Sequence, residues 1–324
     1  MEGNPRARRE FLRSAAKTIL LAYNTPRFWT NPASIEGEYM QSTEQGLRLQ
    51  NSRSNGGRRG RHPGSLINLD HYPLNRLGSP EGARLVVQCH ELLKRTGVCL
   101  LPGFVTRNAL ETMAEEARTL EPDAYFCRNH HNAYLEPDDD AFPPDHPRRM
   151  RMYTSVGSIA YDQLPRNSSL RSLYEWDPLV TFMGAVLGSS QLYRFADPLG
   201  ALSVNVFRKG DRHAWHFDES EFSTTLMLQA SDAGGEYEYV PNSRRVGSED
   251  YGLIRRIING EHNDIRTLPY NPGDLLIFSG QDAIHRITEV GGDLSRLVAI
   301  LCFSRRPRQV NSDEVRSLFW GRTQ

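Results

Sequence analysis

Between Tyr193 and Phe303 the chain breaks into short apolar runs divided by turn residues, and this texture limits its fold more than any other feature. Leu202, Val204 and Val206 alternate with Ser203, Asn205 and Phe207. That period-two pattern belongs to a strand with two unlike faces. Phe222–Gln229 is a second run, Tyr237–Val240 follows Gly234-Gly235, and Leu275–Phe278 follows the turn Pro272-Gly273-Asp274. Brief strands are expected at Arg266–Leu268 and Ala283–Ile287, and a strongly apolar one at Arg296–Phe303. Many short strands at this spacing predict a sandwich or barrel.

The preceding stretch reads as α-helical and strand segments flanking that core. Ala83–Arg95 has helical spacing and ends at Gly97; Val98–Leu101 is a short apolar strand; Asn108–Leu120 is a second helix. Residues 121–147 read as loop, Arg151–Val156 as a strand, and Leu170–Leu187 as a helix interrupted at Asp177-Pro178. Residues 1–24 have helical spacing through Phe11, Ala15 and Ile19. Arg8-Arg9 could open a twin-arginine export signal, but Lys17 breaks the short apolar stretch that follows, so an amphipathic helix is the better reading. Residues 44–64 are polar and rich in Gly, Ser and Arg, a solvated loop by composition. The expected organisation is an N-terminal helix and polar extension over 1–82, a β domain over 83–306, and a tail over 307–324 with a short helix capped at Ser312.

Lys plus Arg and Asp plus Glu both number 39, so the formal net charge is zero. This argues against a general nucleic-acid or membrane-surface binder and suits a small-molecule partner. The four cysteines form no paired or zinc-like spacing, as expected of reduced thiols in a cytoplasmic protein. No apolar run reaches the length of a membrane span. Nothing in the sequence fixes an oligomeric state.

His216-Phe217-Asp218 lies between two good strands and offers two metal ligands from one extended segment. Alone the pair is weak evidence: 10 histidines and 39 acids in 324 residues yield about one His-x-acid match by chance. A decoy, His262-Asn263-Asp264, indeed occurs within a run of turn formers. What strengthens the first pair is His285, on a late strand after a buried one. Two imidazoles and one carboxylate on one face, with open positions opposite, are what an oxygen-activating Fe(II) requires. Eleven residues later Arg296 opens an apolar strand. A guanidinium there is costly unless an anion pairs with it. That anion could be Asp293 or Glu289, or the carboxylate of a dicarboxylic co-substrate.

These segments, with Gly234–Pro241, resemble the Fe(II)/2-oxoglutarate-dependent oxygenase superfamily over roughly residues 83–306. The resemblance implies a double-stranded β-helix (jelly roll) core with flanking helices. It implies His216, Asp218 and His285 as the iron ligands and catalytic centre, and Arg296 as partner of the distal carboxylate of 2-oxoglutarate. Many members carry Arg-x-Ser at the co-substrate strand; here it is Arg296-Leu297-Val298, and Thr288 is the candidate substitute. The local sequence looks closest to a branch with free-amino-acid hydroxylases and halogenases. In such halogenases Gly or Ala replaces the acid ligand, so Asp218 favours hydroxylation.

The implied reaction consumes 2-oxoglutarate and O2, releases succinate and CO2, and oxidises an unactivated C–H of a small polar metabolite such as an amino acid. His213, Trp215 and Glu219 flank the metal pair and are candidate substrate contacts, with Arg151 as a candidate carboxylate anchor. Desaturation or ring closure would start from the same centre. Two alternatives stand beside this reading: a cupin-like metal enzyme without 2-oxoglutarate, and a non-catalytic β-sandwich binding protein.

Overall fold

The computed structural model describes residues 63–245, 247–261 and 263–324. The helix expected over 1–24, the polar stretch up to residue 62, and His262 of the decoy pair lie outside them. In chain order the main elements are α1 (Pro80–Thr96), β1 (Val98–Leu101), α2 (Arg107–Leu120), β2 (Tyr125–His131), β3 (Met152–Ile159), α3 (Ser169–Tyr174) and α4 (Asp177–Val186). They continue with β4 (Tyr193–Arg194), β5 (Leu202–Phe207), β6 (His213–His216), β7 (Ser223–Gln229), β8 (Tyr237–Val240), α5 (Tyr251–Ile258) and β9 (Arg266–Leu268). Last come β10 (Leu275–Phe278), β11 (Ile284–Ile287), β12 (Arg296–Leu301), β13 (Phe303–Ser304) and α6 (Asp313–Trp320).

The strands form a double-stranded β-helix. A seven-stranded antiparallel sheet has the order β1-β10-β7-β12-β5-β3-β2, and a four-stranded sheet the order β6-β11-β8-β9. The period-two alternation decides which way the large sheet faces. On β5, Leu202, Val204 and Val206 enter the main core with helices α1, α2 and α4. Ser203, Asn205 and Phe207 point the other way and line a cavity. On β12, Leu297, Ala299 and Leu301 join the same core, whereas Arg296, Val298 and Ile300 line the cavity. One face of the sheet therefore holds the domain together, and the other is available for chemistry.

The helices are set by their ends. Ser79 caps α1 by accepting from the Gly82 N–H at 3.2 Å, Pro80 occupies the first turn, and Gly97 closes the helix at φ +72°. Thr106 and Ser312 cap α2 and α6 in the same way. Each such cap contributes about 1 kcal/mol.

Three expectations change. Residues 121–147 are not all loop, because β2 pairs with β3 along its whole length as an edge strand. Its sequence, Tyr-Phe-Cys-Arg-Asn-His-His, exposes most of one face and so carries little apolar signal. Ordered packing is already present before Gly82: Leu66, Ile67 and Leu74 are buried in the main core. Leu66 and Leu74 sit in helical pieces of four and three residues and Ile67 in an isolated bridge, all too short for any periodicity. Finally, residues 307–324 include a wall of the cavity, through Asn311, Val315, Phe319 and Trp320.

Candidate metal centre

Strands β6 and β11 lie side by side, and their register places His216 directly opposite His285. Asp218 follows the end of β6 and is fixed by its N–H, which donates to the Gly280 carbonyl at 3.0 Å. Its Oδ1 lies 3.6 Å from His216 Nε2 and 3.4 Å from His285 Nε2. All three donor atoms fall within 4.8 Å of one another, the one such group of His, Cys, Asp or Glu among the described residues.

The hydrogen bonds behind these atoms settle their chemistry. His216 Nδ1 contacts the Ala214 carbonyl at 2.8 Å, and His285 Nδ1 the Ala283 carbonyl at 3.0 Å. A carbonyl only accepts, so each Nδ1 carries the proton and each Nε2 presents a lone pair. Asp218 Oδ2 accepts from Ser223 Oγ, which leaves Oδ1 facing the imidazoles. Burial, aided by His285, pushes the His216 imidazole below its ordinary range. Burial works against the Asp218 charge, but His285 and His216 outweigh it and hold the carboxyl well below the usual carboxylate range. Two neutral nitrogens and one anionic oxygen converging in a buried site form a donor set that fits a divalent first-row metal, Fe(II) among them.

A β-bulge determines which neighbours share the site. Between His285 and Ile287 on β11, the partner strand β6 passes from His216 to His213, three steps against two. The extra residue re-aims the side chains. His213 and His216 consequently both face the cavity, with rings stacked at 3.7 Å and 18°. Trp215 is turned to the opposite side, into a cluster with Phe217 and Ile254, under the Arg286 guanidinium at 4.6 Å. The expectation that Trp215 touches substrate is therefore overturned. His213 keeps its place at the cavity, and its Nε2 is buried without a hydrogen-bond partner among the described residues. Glu219 lines the exposed mouth.

Arg296 lines the same cavity and is only 2% exposed. Its Nε has no hydrogen-bond partner, and no carboxylate among the described residues pairs with it. The two expected alternatives are engaged elsewhere: Glu289 with Arg212 at 2.8 Å, and Asp293 with Lys209 at 3.0 Å. Burial brings Arg296 down to about 10, with Tyr270 and Tyr237 opposing, so the guanidinium stays charged at neutral pH.

Thr288 does not join Arg296. Its hydroxyl donates to Glu236 Oε2 at 2.6 Å and accepts the Glu236 N–H at 2.9 Å, and it is absent from the cavity wall. It lies past the end of β11, where the strand no longer dictates an inward direction. Thr225 and Tyr270 line the cavity instead, bonded to each other at 2.8 Å. Nothing in sequence spacing marks Tyr270, which belongs to the irregular segment before β10. Arg151 is also outside the cavity: it is exposed, pairs with Asp138 at 2.9 Å and borders an adjoining cleft.

A family model described as Halogenase D matches residues 82–317. The chain belongs to that family. With it comes membership of the Fe(II)/2-oxoglutarate oxygenase superfamily. Similar solved structures include an oxidoreductase of the 2OG-Fe(II) oxygenase family from Burkholderia pseudomallei, 16% identical, TM-score 0.44, covering 68% of this chain and 91% of its own. AviO1 from Streptomyces viridochromogenes is 13% identical, TM-score 0.48, with coverages of 68% and 95%. HygX from Streptomyces hygroscopicus, solved with nickel, 2-oxoglutarate and hygromycin B, is 13% identical, TM-score 0.46, with coverages of 67% and 86%. No curated protein matches the chain. Among the described residues of this Halogenase D family member, no helix is long and apolar enough to cross a membrane.

Proposed function

We propose that this chain is a 2-oxoglutarate-dependent hydroxylase of a small polar metabolite, an amino acid or a derivative, with His216, Asp218 and His285 as its iron ligands. The observation that carries the reading is one cavity lined both by three converging donor atoms and by a buried guanidinium that no carboxylate among the described residues pairs with. When bound, Fe(II) with 2-oxoglutarate and O2 supplies oxidation of an unactivated C–H, with release of succinate and CO2.

The chain's own residues bind, orient and exclude. Arg296 holds the distal carboxylate of 2-oxoglutarate through charge-assisted hydrogen bonds, with Thr225 and Tyr270 beside it as hydroxyl partners. Phe207, Ile287 and Val298 line the cavity with apolar surface and keep bulk water from the reacting atoms. The Ala214 and Ala283 carbonyls fix both imidazole tautomers, so no proton has to leave a ligand for the metal to bind. On the substrate side, His213 Nε2 and the Glu219 carboxylate offer polar contacts, the latter suited to an amine. Asp218 occupies the position that halogenases of the resembling branch leave to a small residue, which supports oxygen insertion over halogenation.

Anaerobic addition of Fe(II) and 2-oxoglutarate tests the reading. A weak visible charge-transfer band is expected, and His285→Ala abolishes it. A screen of amino acids for stimulated succinate release, with mass analysis for a gain of one oxygen, tests the substrate class. A silent spectrum sinks the assignment; turnover without succinate points to the cupin-like alternative.

A further inference from the structure

Gly280 sits in the turn between β10 and β11, buried against the carboxylate of Asp218. A Cβ at this position would overlap Asp218 Oδ2 and lie 2.5 Å from its Cγ and 2.9 Å from its Cβ. These are the three nearest atoms, all from one side chain. Unlike ten other glycines in the described residues, Gly280 does not have positive φ, so its backbone would accept an alanine without strain. The nearest obstacle to a side chain here is the aspartate. The same glycine accepts the Asp218 N–H at 3.0 Å through its carbonyl. Ser223 holds Oδ2 from another direction.

We propose that Gly280 is a positioning residue of the metal centre: its missing side chain is the seat of the Asp218 carboxylate, and so decides whether position 218 can supply a ligand. The inference rests on His216, Asp218 and His285 being the metal site. With Oδ2 seated on the Gly280 Cα and tied to Ser223, only Oδ1 is left to face the two imidazole nitrogens. The carboxylate is thereby limited to one coordinating oxygen, and the remaining positions stay open for co-substrate. A methyl group at residue 280 would force the carboxylate to rotate away or swing its second oxygen inward. Residues 218 and 280 are coupled: the first can be an acid only while the second is glycine.

The test is a double-mutant cycle read by metal binding, using the full chain with Co(II) as an absorbing stand-in for Fe(II). Gly280→Ala is expected to weaken Co(II) affinity about 10–100-fold, the usual effect of disturbing a partner behind a ligand. In an Asp218→Gly background the same change is expected to shift affinity less than about twofold, because no carboxylate remains to displace. Equal losses in both backgrounds, or no loss in the first, would overturn the proposal. Should Gly280→Ala fail to fold, the double variant decides: recovery of a folded protein upholds the seat, and failure of both overturns it. Wild-type protein that binds no Co(II) sinks the metal site itself; binding that His285→Ala abolishes but Gly280→Ala leaves intact sinks only the role of Gly280.

Discussion

Replacing Arg296 by methionine should stabilise the ligand-free protein while removing its response to 2-oxoglutarate. The guanidinium is 2% exposed, and no carboxylate among the described residues pairs with it. Its fall from the ordinary arginine range to about 10 corresponds to a burial cost of the charge of about 3 kcal/mol at neutral pH. Methionine keeps most of the aliphatic stem and carries no charge. The variant should therefore gain about 1–3 kcal/mol without ligand, after allowance for lost contacts. In a protein of this size that corresponds to a rise in Tm of about 1.5–5 °C. Wild type should gain about 3 kcal/mol from 2-oxoglutarate at a hundred times its Kd, with inactive metal present, and Arg296→Met should gain nothing. Thermal unfolding with and without 2-oxoglutarate reads both effects. A ligand-free variant less stable than wild type would mean that the arginine already has its partner, and a preserved ligand shift would mean that the carboxylate binds elsewhere.

Ser223→Ala, which releases Asp218 Oδ2, should weaken metal binding about tenfold with the fold intact, and an unchanged Co(II) titration would count against that role. Burial holds the His131 imidazole down at about 4, so from pH 6.5 to about 4 the unfolded chain takes up a proton that the folded chain refuses. Metal-free stability should fall across that window by about 3 kcal/mol from this residue alone, and His131→Gln should flatten the slope of stability against pH. Asp197→Ala strands Arg316 of α6 without its 3.0 Å ion pair and should cost about 3–5 kcal/mol by chemical denaturation. Hydrogen exchange over residues 313–320 should rise in the same variant, and an unaltered α6 would show that the helix is held by other contacts.

The sequence carried the β core because alternation is local: the two faces of β5 are written residue by residue, and the structure sorts them into core and cavity, whereas the uniformly apolar run of β12 gives no such sign of which residues face the cavity. His216, Asp218 and His285 stood out because a His-x-Asp between two strands, with a late histidine, needs no knowledge of loop geometry. What escaped depends on contacts made across the chain. The direction of Trp215 turns on a bulge visible only once β6 is paired with β11. The idleness of Thr288 turns on Glu236, 52 residues away. The cavity wall formed by Phe319 and Trp320 requires α6 to dock beside Gly200, where a Cβ would meet the Trp320 ring at 2.7 Å. Tyr270, beside the arginine, lies in a segment with no period at all.

The uneven pairing of β6 with β11 makes the spacing from 213 to 216 indivisible. Deleting one residue there would restore even steps along the ladder and send one of the two stacked rings to the far side of the sheet. Substitutions at 214 that keep the chain length should be tolerated, whereas a single missing codon should dismantle the centre and leave the surrounding barrel standing. In this protein the reacting geometry is stored as a count of residues as much as in their identity.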